Sequence, residues 1–95
     1  MDIENIYSKF EYKYIDINEY TKPAHTWTMS IKKLGIVFTV ENSKTRQAIW
    51  IDIKDDSTIH YQTHIENMSN DDCLLWAWDK IKDHLLCIII DTFGG

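Results

Sequence analysis

Between Ala24 and Glu66, four successive segments alternate apolar and polar residues with a period of two, and this constrains the fold more than any other feature of the chain. In "HTWTMSIK", Trp27, Met29 and Ile31 alternate with Thr26, Thr28 and Ser30; in "LGIVFTVE", Leu34, Ile36, Phe38 and Val40 share one face. In "QAIWIDIK", Ile49, Ile51 and Ile53 point inward, while Ala48, Trp50 and Asp52 point outward. "TIHYQTHIE" places Ile59, Tyr61 and Ile65 inside and His60, Gln62 and His64 outside. Successive side chains of a strand point to opposite faces, so each segment reads as a half-buried strand. The links, "ENSKTR" and the turn at "DDS", are short and polar, which makes the four strands an antiparallel meander.

Parity sharpens this reading. For Ile49, Ile51 and Ile53 to share a face with Ile59 and Tyr61, the last hairpin loop must hold an odd number of residues, since a one-residue slip turns every side chain over. The allowed registers set either His60 or Gln62 opposite Trp50. Trp50 therefore gains a polar neighbour on the outer face.

A different period follows. In "SNDDCLLWAWDKIKDH", Ser69 or Asn70 suits an N-cap, and Asp71 and Asp72 suit the positive end of a helix dipole. Leu74, Ala77, Trp78, Ile81 and Leu85 then form one stripe, which predicts a helix over 70–84 packed on the sheet. Trp76 lies about 200° around that helix from Trp78, so one tryptophan enters the core and the other flanks it or is exposed. The run "LCIII" after the helix reads as a covered strand. At the other end, Ile3, Ile6, Tyr7 and Phe10 have helical spacing, and "YKYIDI" then favours a strand. The expected fold is α+β, a single domain over 1–95. It has an antiparallel sheet of about five strands, a helix on one face and a short N-terminal helix.

With 44% hydrophobic and 26% charged residues, the composition is that of a globular protein. The N-terminus lacks the pattern of a secretory signal, and the longest apolar run, Leu85 to Ile90, is too short to cross a bilayer. A cytoplasmic location is expected, with Cys73 and Cys87 as reduced thiols. Charge is lopsided. Residues 1–51 hold six acids against seven bases, and residues 52–95 hold nine acids against three bases. Nucleic-acid binding is dominated by Lys and Arg, so the excess of acid argues against it and permits a basic protein partner.

Chemistry is sparse. His60 and His64 share a strand face but stand about 13 Å apart, too far to ligate one zinc, whose bonds are about 2 Å. Neither a metal nor a cofactor is expected. Cys73 lies in the first helical turn, yet burial beside Asp71 and Asp72 disfavours its thiolate. An Asp52–His60 dyad needs one specific register. There is no Gly-rich phosphate loop, no CxxC and no basic amphipathic helix. Gly94-Gly95 is similar to the diglycine tail of ubiquitin-like carriers, but four strands ahead of the main helix do not match their strand–strand–helix start.

The remaining expectation is binding rather than catalysis. The acids Asp52, Asp55, Asp56, Glu66, Asp71 and Asp72 suit a cationic partner, an outward Trp50 with Tyr or Trp neighbours suits an anchor, and His60 joins them as a candidate contact residue. This profile is similar in kind to that of immunity proteins that neutralise bacterial nuclease toxins. Phage-encoded anti-defence inhibitors share it. A small enzyme using Cys73 with His60 or His64 is the alternative from another class.

Overall fold

Every described strand pairs with its neighbour in sequence. The computed structural model describes residues 2–16, 23–54 and 57–93, with side chains of the last helix described through Leu86. Helix α1 (Ile3–Tyr7) is followed by strands β1 (Glu11–Ile15), β2 (Ala24–Ile31), β3 (Ile36–Ser43), β4 (Gln47–Ile53) and β5 (Ser57–Thr63), then helix α2 (Asn70–Phe93). The sheet order is β1-β2-β3-β4-β5, antiparallel throughout. This is the α+β arrangement that the alternating pattern predicts.

Register follows the parity argument. Ile53 faces Ser57, Ile51 faces Ile59 and Ile49 faces Tyr61, which leaves an odd, three-residue connection between β4 and β5. Trp50 faces His60, one of the two allowed partners. The β2–β3 turn is closed by Gly35, whose φ of 65° favours a residue without a Cβ. A Cβ there would also stand 2.7 Å from Lys54 Cβ, so the glycine meets two constraints at once.

One face of the sheet is the core. Trp27, Ile36, Phe38, Val40, Ile49 and Ile51 are buried under the α2 stripe of Leu74, Ala77, Trp78 and Ile81, with Ile6 of α1 closing one side. Trp78 packs edge-on against Phe10, with ring centroids 6.5 Å apart. Trp76 is half-buried and flanks the same core. Ser69 is the N-cap: its hydroxyl oxygen accepts the Asp72 N–H at 3.1 Å.

Buried amides lock one end of the sheet. Gln47, fully buried, donates through Nε2 to the Ile65 carbonyl at 2.9 Å, while its Oε1 accepts the Ile65 N–H at 3.1 Å. A side-chain amide thereby imitates a strand neighbour. Asn42, facing Gln47 in β3, donates to the Met68 carbonyl at 3.0 Å and to Asn70 Oδ1 at 2.9 Å. The connection from β5 to α2 is thus tied to the β3–β4 end of the sheet. Buried polar groups persist when paired in this way.

Three expectations are corrected. The "LCIII" segment is not a strand: α2 continues without interruption to Phe93, since neither Gly nor Pro follows His84 before that point to stop it. Leu34 does not join the core face; it lies in the turn between β2 and β3 and is exposed. Ile65 lies beyond the end of β5, where Gln47 holds its backbone and leaves its side chain exposed. The apolar–polar alternation runs past the ends of both strands, and it alone does not mark where pairing stops. Gly94 and Gly95 lie outside the described residues.

Candidate functional site

The face of the sheet opposite α2 carries no other element among the described residues. Glu11, Thr28, Thr39, Trp50 and His60 form one row across all five strands of this face. The Trp50 and His60 rings stack with centroids 5.1 Å apart and planes 18° from parallel. Arg46, from the end of the β3–β4 turn, reaches the Trp50 ring, its guanidinium carbon 6.0 Å from the ring centroid. The same guanidinium donates to Glu41 Oε1 at 3.2 Å. Trp50 is half-buried, and both an imidazole and a cation contact its ring, which restricts its freedom.

Ala48 points to this outer face, as its parity demands, yet is completely buried. It lies between Glu41 on β3 and Gln62 on β5. Arg46, bound on one side to Glu41 and on the other to Trp50, spans it. Asp52 sits two residues beyond Trp50 on the same face. Its Oδ1 accepts the Thr58 hydroxyl at 2.7 Å, its partner directly across the hairpin. His60 is thus stacked on Trp50 rather than hydrogen-bonded to Asp52, and the Asp52–His60 dyad is not formed.

The acidic residues do not converge on this face. Asp52 and His60 flank Trp50. Asp71 and Asp72 open α2, in the layer on the other side of the sheet. Glu66 is exposed in the β5–α2 connection. The hydrogen bonds of Asn42 place the start of α2 at the Gln47 end of β4, whereas Asp52 lies five residues along that strand, about 17 Å away at strand rise. Asp55 and Asp56 lie outside the described residues. Asp71 is also engaged within the fold: its Oδ1 accepts the Tyr7 hydroxyl at 2.6 Å. Burial and this carboxylate hold the Tyr7 phenol well above its ordinary pKa.

Cys73 lies beneath α2, wholly buried, with its Sγ 3.8 Å from the Glu41 carbonyl oxygen. Burial, and then the Glu41 charge, push its pKa up to about 12. An activated thiol shows the reverse shift. The sheet separates Cys73 from His60, and the hydrogen bond of His64 is to Gln62, at 2.6 Å, while that of the thiol is to the Glu41 carbonyl. Among the described residues, no group of three His, Cys, Asp or Glu side chains is placed to hold a metal. No described helix is long and apolar enough to cross a membrane.

Two features escape sequence reasoning. Arg46 and Glu41 buttress Trp50, but nothing in "ENSKTR" marks which turn residue will fold back over β4. On the helix side, the uncovered end of the sheet carries an aromatic group. Tyr12 Oη lies 2.6 Å from His25 Nδ1, and the Tyr12 and Tyr14 rings lie 5.9 and 4.9 Å from that imidazole. An open cavity of about 610 Å³ adjoins it, lined in part by Tyr14, His25, Asn42, Lys44 and Asn70. Among the described residues, no carboxylate lines this cavity, and Trp50 is not part of its lining. No family model matches the chain, and neither a curated protein nor a solved structure matches it.

Proposed function

We propose that this protein is a non-enzymatic inhibitor, an immunity protein that acts in the cytoplasm by binding a cognate nuclease-type toxin and covering its basic active site. The observation that carries this reading is the Trp50–His60 stack, with Asp52 beside it, on a sheet face that no described element covers. A ring already held in place loses little freedom on binding, which is why such aromatics act as anchors. Trp50 fills a pocket of the partner, and Asp52 meets a cation at the rim of the cleft. Asp55 and Asp56, which follow Asp52 in the sequence, add to its negative charge. Glu66, Asp71 and Asp72 act at longer range, by steering a basic partner toward an acidic molecule.

The test is affinity capture from the native host with the wild-type chain and with Trp50→Ala in parallel. The expected result is one stoichiometric, basic protein held by the wild type and lost by the variant, whose nuclease activity the wild type suppresses. Recovery of no partner, or of a partner held equally by both chains, would overturn the proposal.

A further inference from the structure

The two edges of the sheet are finished differently. β1 is short, at five residues, and carries Glu11 and Lys13, charges of the kind that keep an edge strand from pairing with another chain. β5 is seven residues long and contains no Lys, Arg, Asp, Glu or Pro. It pairs with β4 in unbroken register from Ser57 to Thr63, so no bulge turns it away from a neighbour. Among the described residues, no backbone group hydrogen-bonds to β5 from the side away from β4. The N–H and C=O groups of alternate β5 residues therefore point to an open edge.

The sequence of β5 is its own antiparallel complement. A two-fold axis normal to the sheet at His60 sets Ser57 against Thr63, Thr58 against Gln62 and Ile59 against Tyr61, with His60 meeting itself. Ile59 and Tyr61 lie half-buried on the face that α2 packs against, so each crossed pair carries the apolar inner face from one copy into the next. An aromatic directly opposite a β-branched side chain is a favourable cross-strand pair. The flanking sequence keeps the symmetry. Counting outward from His60 sets Asp56 against His64 and Lys54 against Glu66, so no like charges are opposed. A slip of one residue would join the inner face of one copy to the outer face of the other, and a slip of two would lose both Ile59–Tyr61 pairs. The same operation on β1 centres on Lys13 and opposes that lysine to itself.

We infer that the protein dimerises edge to edge through β5, the two strands pairing antiparallel about His60 with Ile59 of each copy against Tyr61 of the other. The occupant of this edge is a second copy of the chain, and the two sheets become one. The contact uses the backbone of the edge and leaves the Trp50 face uncovered, so it does not rest on the proposed inhibitory role.

Sedimentation equilibrium from micromolar to millimolar concentration, at pH 8 where imidazoles are neutral, tests it. The wild type is expected to reach a dimer and to stop there, because the β1 edge is charged. Two doubly substituted chains, which differ only at position 62, then read the register. Thr58→Lys with Gln62→Lys opposes lysines twice across the axis and weakens the dimer at least about tenfold. Thr58→Lys with Gln62→Glu sets a lysine against a glutamate twice and keeps the wild-type affinity to within about threefold. Within one chain the two positions stand about 13 Å apart along the strand, so the difference reports contact between copies. Both residues are exposed, and unchanged far-ultraviolet circular dichroism and thermal unfolding will verify that each variant folds. A wild type that stays monomeric at millimolar concentration would overturn the inference and leave the edge to a strand of another protein. So would association past the dimer, or equal affinities in the two variants.

Discussion

The two faces of this sheet are built from the same strands, one residue out of step, and they have opposite characters. The inner face is closed over β3 and β4. Phe38, Val40, Ile49 and Ile51 are buried to within 1% of completeness under α2. On the outer face, Thr28, Thr39, Trp50 and His60 meet solvent, and only Ala24, Ser43 and Ala48 at one end are buried. Stability and recognition are thereby separated by a single peptide unit. A change at an odd-numbered position of β4 is felt by the fold, and a change at Trp50 or Asp52 by whatever docks there.

The sharpest way to break this division is at Phe38. Phe38→Ala leaves a cavity between β3 and α2, and unfolding in urea should show a loss of about 3–5 kcal/mol. Gln47→Ala removes the amide that satisfies both backbone groups of Ile65. Its cost is expected at about 2 kcal/mol, with amide exchange faster across the 64–69 connection than in β3.

A third effect is read from pH. The Cys73 thiol has its pKa raised from the ordinary value near 9.0 to about 12 in the fold, so the unfolded chain ionises first. Its contribution is fully present below pH 9 and is lost as pH rises toward 12, at up to about 1.4 kcal/mol per pH unit. Cys73→Ala should flatten that alkaline decline, and an unchanged slope would show that the thiol does not drive it. Tyr7, raised in the same direction, adds its own loss above pH 10, which Tyr7→Phe would remove. The smallest effect on folding is expected at the outer face. Trp50→Ala should lower stability by less than about 1 kcal/mol while costing about 2 kcal/mol or more in partner binding. A large loss of stability there would erase the contrast between the faces.

Much of this fold was legible because the alternation has a period of two and one face is apolar. Those facts alone limit the partner of Trp50 to His60 or Gln62, and His60 is the one found. The stripe from Leu74 to Leu85 likewise separates Trp78, in the core, from Trp76 at its flank. The "LCIII" run was misread because a short apolar run carries no period, and only the absence of a stop signal argues for helix. The site was less legible than the fold. Arg46 and Glu41 lie five residues apart in the chain but meet across a turn, and no local pattern reports that contact. The separation of Asp52 from Asp71 depends on where α2 begins. That is set by Asn42 and Asn70, 28 residues apart in sequence.

The order of elements along the chain has a consequence for synthesis. The meander needs only neighbouring segments to pair, so its strands can form one after another as they leave the ribosome. Its cover comes last, because every strand precedes α2. Until the residues through Ile81 have emerged, Phe38, Val40, Ile49 and Ile51 have no lid, and the nascent sheet shows an apolar face to its surroundings. Transiently exposed apolar surface of this kind is prone to aggregation, so the interval before α2 emerges is when neighbouring nascent chains are most apt to stick together.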